Sequence, residues 1–528
     1  MRVDPRRVAP VAVAGVLALV YVIVSPLSLD LAAHLLRAKL FNAEGFGIWN
    51  NWWYAGHHTP SYSVLFGPVT AALTPQVAGA IAATATAALF EPLARDTFGE
   101  DAWLGATWFG AATATNLFTG RLAFAFGLLP AVGAMLALER RRPVPACALA
   151  FLAALCSPVA ALFAAMGGGA YAIGTWIGGR QEQPERPRPG PWAGIALAAA
   201  ALIPIGLLAV AFPEGGSEPF TLATLWPVPV IGVIALLAIP KRLWTLRAAV
   251  ALYVLGCLAA FAIATPVGSN AARLGALVAG PLAALLWWRR RPLLLLAVAI
   301  PLIYLQWQAP VRDVRTSSGD PSASSGYYKP LLSFLAAQPG PPFRVEIPFT
   351  QFHEEAYVVA PRFPLARGWE RQLDIKDNHL FYGGRLNAET YHAWLRSLAV
   401  RYVAVSDATL DYSAHRETAL IDGGLPYLRL VARLPHWRVY EVTDATDIVQ
   451  GAATLTAIGA DSLTLRALRE GSALVRVRFT PYWKLSDGFG CVRPAGDFTE
   501  LTLRRAGTLR LQAVFSPARI GARSPRCS

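Results

Sequence analysis

Five side chains able to carry a proton, a metal or a hydrogen bond fall within about thirty residues: Asp30, His34, Glu44, His57 and His58. Asp30 and His34 are four apart, so on a helix they share a face. A hydrogen-bonded Asp–His pair there could take a proton from an acceptor hydroxyl. A carboxylate in that place could also hold a divalent cation, Mg or Mn. The competing reading makes Asp30 a helix cap, with Ser28 as its rival, and His34 a solvated polar residue. His57 and His58 are either metal-binding or simply polar, and no zinc-type spacing exists, so no metal centre is assigned. Trp49, Trp52, Trp53 and Tyr54 lie between these groups, and such rings gather where a bilayer meets water. The stretch therefore reads as the lip of a site on a membrane protein, with Glu44, Trp53, Tyr54, His57 and His58 facing substrate.

Two arginines complete the candidate chemistry. Arg121 in NLFTGR and Arg273, which follows Asn270 in SNAARLG, open apolar segments at loops expected to face outward. The planar fork of arginine suits phosphate. Contact with ordinary lipid headgroups is the alternative. Together Arg121, Asn270 and Arg273 are read as a phosphate site, and a cavity is expected between them and Asp30. Gly167–Gly169, inside an apolar run, reads as a place of close helix packing.

These groups need a membrane scaffold. Of 528 residues, 55% are hydrophobic and only 15% charged, where a soluble chain is nearer a quarter charged. Apolar runs fill residues 1–310, and the remainder has the composition of a soluble domain. The net charge of +14 does not indicate nucleic acid, because the basic residues sit in short clusters between apolar runs. A basic N-terminus precedes an apolar span from about Val8 to Pro26. A signal peptide is the rival reading, but no small-residue cleavage site follows. Residues 29–41 have the pattern of a helix lying along the interface, and 61–73 is too short to cross. Further spans are expected near 76–94, 102–117, 121–139, 144–156, 158–178, 190–211, 222–239, 244–264, 270–288 and 292–308, eleven in all. With the N-terminus cytoplasmic, the inner loops 95–101, 139–143, 179–191, 240–243 and 289–292, the N-terminus and Arg247 hold 16 of the 20 Lys and Arg before Pro310. That asymmetry is the positive-inside pattern, and it places the C-terminal region outside.

After the polar linker 316–326, FRVEIPF, VRYVAVS and WRVYEV read as strands around a helix from Glu389 to Leu398. LTLRAL, ALVRVRF, LTLRR and TLRLQAVF alternate apolar and basic residues, as half-exposed antiparallel strands do. The expected division is a transmembrane part over 1–310 with its first outer loop at 27–75, an α/β domain over 311–447, and a small β-sandwich over 448–528. Cys147, Cys156 and Cys257 lie in apolar runs as small hydrophobes. Cys491 and Cys527 form either a disulfide or two free thiols.

With SLDLAAH, the aromatic loop WNNWWYAGHH and the LTLRR-type strands in view, the chain resembles the GT-C superfamily of integral membrane glycosyltransferases. It is also similar to uncharacterised bacterial membrane proteins with a DLxxH opening and a GRLAFAFG segment. The resemblance implies a multi-pass plasma-membrane protein with about eleven spans and an extracytoplasmic C-terminal region. It implies a polyprenyl-phosphate sugar as donor and a glycan or glycolipid of the cell envelope as acceptor. Asp30 would be the general base of an inverting transfer, with His34 beside it and Arg121 and Arg273 facing the departing phosphate. The alternatives are a non-catalytic envelope assembly protein and a transporter of lipid or glycan.

Overall fold

The computed structural model describes residues 4–178 and 189–528, so most of the expected inner loop 179–191 lies outside the described residues. The chain divides into two compact units. The first comprises Met1–Ser28, Tyr62–Leu208 and Ser217–Thr316. The second comprises Leu29–Ser61, Ala209–Gly216 and Ser317–Ser528.

Helix α1 (Pro5–Val24) opens the first unit, and α2 (Leu31–Glu44) belongs to the second. The first unit continues with α3 (Phe66–Ala72), α4 (Pro75–Phe98), α5 (Trp103–Phe118), α6 (Leu122–Glu139), α7 (Pro143–Cys156), α8 (Pro158–Gly178) and α9 (Pro191–Ala211). It ends with α10 (Leu222–Leu225), α11 (Pro227–Ala238), α12 (Trp244–Ala262), α13 (Arg273–Trp287) and α14 (Pro292–Ser317). Among the described residues, eight helical stretches are long and apolar enough to cross a bilayer. They are α1, Pro75–Phe118, α6, α8, α9, α12, Gly268–Trp287 and α14. All eleven expected segments are helical, but the count by length is lower for two reasons. Segments α4 and α5 are joined by a single 3-10 turn (Gly99–Ala102), and α7 and the stretch Leu222–Ala238 are short.

Small residues set the helix packing of this unit. A Cβ on Gly168 would lie 2.5 Å from the Gly194 carbonyl oxygen, and one on Gly194 would lie 2.3 Å from that of Gly168. Helices α8 and α9 therefore meet backbone to backbone, which only glycine allows. Gly167 instead faces Met135, and Gly169 faces Leu252.

The second unit holds three larger sheets and one two-stranded ribbon. Strands β1 (Trp49–Asn50) and β2 (His57–His58) make the ribbon. Strands β3 (Arg344–Glu346), β4 (Val400–Ser406), β5 (Leu428–Leu434) and β6 (Trp437–Val442) form a sheet of order β3-β4-β6-β5, with β3 parallel to β4. Helices α15 (Ser325–Ala336), α16 (Glu355–Val358), α17 (Arg371–Asp377), α18 (Ala388–Ser397) and α19 (His415–Asp422) accompany it. The rest is antiparallel: β7 (Val449–Gly451), β8 (Ala453–Ile458), β9 (Ser462–Ala467), β10 (Gly471–Arg478), β11 (Trp483–Leu485), β12 (Gly490–Ala495), β13 (Phe498–Leu503), β14 (Gly507–Ala513) and β15 (Arg526–Cys527). They form sheets of order β15-β12-β13-β10-β7 and β11-β14-β9-β8. Leu463 and Leu465 from one sheet and Val475, Leu501 and Leu503 from the other share a core, the arrangement of a two-layer sandwich. Cys491 and Cys527 are disulfide-bonded across β12 and β15.

The stretch expected to be the first outer loop departs from the expected division. Residues 29–61 belong with the C-terminal domains, not with the spans. An apolar stripe on a helix fits a protein core as well as a lipid surface. Here Leu36 of α2 is buried in one cluster with Trp52, Trp53, Tyr328 and Phe349.

Candidate functional site

The aromatic stretch is a buried connector inside the second unit. Tyr54 and Ala55 adopt positive φ (57° and 59°), and Gly56 follows at 110°. Glycine is required at 56 because a Cβ would lie 2.4 Å from Trp49 Cζ2. The turn delivers side chains to both C-terminal domains. Trp53 Nε1 donates to the Ala356 carbonyl (2.9 Å), and Trp52 accepts from Leu365 N–H (2.9 Å). Tyr54 donates to the Gly368 carbonyl and accepts from Glu370 N–H (2.8 Å). On the sandwich side, Asn51 N–H donates to Ala460 (2.7 Å), and Arg478 donates through Nε to the Tyr54 carbonyl (2.9 Å) and through its backbone N–H to Ala55 (2.7 Å). Trp53 and Tyr54, expected to face substrate, are thus enclosed by protein.

The two histidines also face protein partners. His57 stacks on Trp53 (6.1 Å between centroids) and its Nε2 lies 3.0 Å from Asn50 Nδ2. Burial lowers its pKa. His58 Nδ1 lies 2.7 Å from Glu214 Oε1 and its Nε2 lies 2.9 Å from Thr480 Oγ1. Burial pushes the Glu214 carboxyl up, but the hydrogen bond and charge of His58 bring it below its ordinary value. Among the described residues, no group of three or more His, Cys, Asp or Glu side chains is placed to hold a metal ion. A cation at these positions would rest on fewer such ligands, so no step is assigned to Mg or Mn.

Asp30 is half-buried and directly precedes α2. Its carboxylate makes no capping hydrogen bond to the helix. His34, one turn on, is buried, and its backbone N–H donates to the Asp30 carbonyl (3.4 Å). Arg37, a turn further, pairs with Glu370 at 2.5 Å. Glu44 lies toward the sandwich, where burial and the nearby Asp461 raise its pKa against the pull of Arg510.

The arginine candidates lie in the first unit, and there the folding brings two of them to one helix end. Arg121 immediately precedes α6, and its N–H donates to the Asn116 carbonyl (2.8 Å). Phe124, in the first turn of α6, carries the Arg273 guanidinium over its ring at 5.5 Å. The same ring meets Phe163, in the first two turns of α8, edge-on at 5.9 Å. Both arginines are half-buried, and Arg273 is itself the first residue of α13. Asn270 is buried in the 3-10 turn just before it. The start of α6, which Arg121 immediately precedes, therefore lies beside the guanidinium of Arg273 from the start of α13, and helix N-termini favour anions.

The same unit contains a cavity of about 1310 Å³. Its walls come from the C-terminal halves of α4 and α8, from α11, α12 and α13, and from Leu302–Gln308 of α14. Gly167, Gly174, Gly232 and Gly275 line it and let Met135, Thr245, Val254 and Tyr253 pack against the helix backbones, and Asp96, Glu139, Arg141 and Arg242 supply charge. The cavity includes Ala272 and Leu274 on either side of Arg273, but neither arginine candidate nor Asp30 lines it. The expected cavity, lined by Asp30 and an arginine, is therefore not this one.

Sequence reasoning did not single out a buried ionic cluster in the α/β domain. Arg367 is enclosed between the rings of Phe349 and Phe381 (3.9 Å each) and pairs with Asp374 (2.6 Å) and Glu417 (3.2 Å). Burial and the charge of Glu417 hold the Glu346 carboxyl well above the usual range. His353 stacks on Trp369 at 3.4 Å, with its ring nitrogens 3.7 Å from Glu355 and 3.8 Å from Asp411. Burial raises the Asp411 carboxyl, but His353 and Arg371 pull it down to about 2. These residues are spread over 346–417, so only the fold assembles them.

No family model matches the chain, and no curated protein matches it.

Proposed function

We propose that the chain is an integral membrane glycosyltransferase of the GT-C kind, taking a sugar from a polyprenyl-phosphate donor to an acceptor of the cell envelope. The observation that carries this reading is the Arg273 guanidinium over Phe124 in the first turn of α6, the helix that Arg121 immediately precedes, inside an apolar unit. A guanidinium at the edge of low-dielectric surroundings favours a phosphate more strongly than one in water does. In this reading the donor phosphate rests at these N-termini. The large cavity of the same unit can take apolar chains. The acceptor oxygen bonds to the anomeric carbon, with inversion, as its proton passes to a base, the part that the sequence reading gives to Asp30. The polyprenyl phosphate leaves, and Arg121 and Arg273 meet its charge. Eleven spans with a cytoplasmic N-terminus put the second unit outside, and the Cys491–Cys527 disulfide suits an oxidising compartment.

The test is native mass spectrometry of the full chain with a polyprenyl phosphate and with the corresponding alcohol. The phosphate should bind at least about tenfold more tightly, a difference of ~1.4 kcal/mol, and Arg273→Gln or Arg121→Gln should remove most of that preference. Equal binding of phosphate and alcohol by the unaltered protein would end this reading. A transporter of lipid or glycan is the second reading, favoured by the size of the cavity. It predicts that lipid crosses the bilayer of a proteoliposome with no transferred product.

A further inference from the structure

The C-terminal segment carries apolar and cationic groups that the proposed transfer does not use. Val514, Phe515 and Ile520 are 39%, 44% and 39% exposed. Phe515 packs on Phe212 (5.5 Å) and on Tyr482 (5.3 Å). Tyr482 in turn donates to the carbonyl of Ala211 (2.6 Å), the last residue of α9. That helix is long and apolar enough to cross a bilayer, and Val210, next to its end, is 65% exposed. The patch is therefore continuous with the point where an apolar helix ends.

Beside it stand Arg519, Arg523 and Arg526. Arg519 donates to the carbonyls of Pro481 (3.3 Å) and Ser524 (2.6 Å), and Arg526 to that of Tyr482 (3.0 Å). Among the described residues, no carboxylate lies within 4.0 Å of any of the three. Burial, and then the charge of Arg519, lowers the pKa of Arg526. The Cys491–Cys527 disulfide ties the end of the segment to β12, which makes this a fixed face and not a loose tail.

We propose that the face formed by Val514, Phe515, Ile520 and the three arginines rests on the bilayer and binds anionic lipid headgroups. Apolar side chains enter the headgroup–acyl boundary while basic residues meet lipid phosphates, as at interfacial helices and polybasic segments. A protein partner would need no continuity with the end of α9, and that continuity is what favours lipid.

The experiment uses the full chain in nanodiscs, with Cys147, Cys156 and Cys257 replaced by Ala and the disulfide kept. A nitroxide is placed at Ile520→Cys or, as a control on an exposed sandwich strand, at Thr456→Cys. The ratio of oxygen to aqueous nickel collisions should be roughly tenfold higher at 520 than at 456, as expected for a site within the headgroup–acyl boundary. A nickel-accessible label at 520, equal to that at 456, would overturn the proposal and leave the face to a protein partner. A second readout keeps the native cysteines and Ile520: anionic lipid retained in native mass spectrometry. Arg519→Gln and Arg523→Gln should each lower it about fivefold, the factor that roughly 1 kcal/mol per basic residue implies. Unchanged retention in the double variant would refute the headgroup contact.

Discussion

Arg367 and Arg273 are both set against phenylalanine rings, and they illustrate opposite uses of charge. Arg367, in the α/β domain, is enclosed, and its donors go to Asp374, Glu417 and Ser413. Burial would lower its pKa, but Asp374, Tyr382 and Glu417 more than reverse that. Arg273, in the apolar unit, is half-buried at a helix start, where the backbone offers further donors to an anion. A closed network holds a fold together, whereas a cation at a half-open helix end suits a ligand. The first loop of the second unit follows the closed pattern: Trp53, Tyr54, His57 and His58 all spend their polar atoms on protein.

The sharpest way to break this comparison is to remove each guanidinium. Arg367→Leu leaves Asp374 and Glu417 buried without their partner, which should cost about 3–5 kcal/mol. Thermal unfolding of the second unit, followed by tryptophan fluorescence, should move far down or be lost. Arg273→Leu should destabilise less than Arg367→Leu, because its guanidinium is half-buried over one ring and not enclosed between two, while reducing capture of lipid phosphate. Equal destabilisation by the two variants would erase the distinction.

The expected apolar segments became helices because runs of that length and composition have one way to satisfy their backbone. VRYVAVS, WRVYEV and ALVRVRF became β4, β6 and β10 because period-two alternation selects a half-buried strand. The place of the first loop was not legible. Core tryptophans and interfacial tryptophans have the same composition, and a hydrogen bond from Asn51 to Ala460 spans 409 positions. Asp30 and Arg273 were read as one site, but they belong to different units. The ionic cluster around Arg367 had no local signature, because Glu346, Arg367 and Glu417 are single charged residues in separate elements.

A smaller effect tests whether burial alone explains the charges of the second unit. Burial and Glu355 push the Glu354 carboxyl up to about 8, against the pull of Lys39. The folded state then binds a proton that the unfolded chain releases near its ordinary value of about 4.5. Stability from this group is fully present below pH 4.5 and is lost as pH rises through 8. The slope is at most about 1.4 kcal/mol per pH unit. Glu354→Gln should flatten the fall in melting temperature between pH 5 and pH 8. An identical slope in variant and parent would mean that water or Lys39 already compensates the charge.

The smallest expected effect on stability belongs to Asp30. Its carboxylate does not cap α2, and Asp30→Asn preserves size and hydrogen-bonding capacity while removing charge and basicity. The melting temperature should stay close to that of the parent, a change within about 0.5 kcal/mol. Transfer to acceptor should fall by at least about 100-fold, the usual contribution of a general base. Binding of polyprenyl phosphate should be unchanged, because its recognition is assigned to Arg121 and Arg273. A loss of stability with retained product would make Asp30 a structural residue of the second unit. A loss of lipid-phosphate binding would instead tie the carboxylate to donor capture. Only lost product, with both stability and binding preserved, fits a residue that takes a proton from the acceptor.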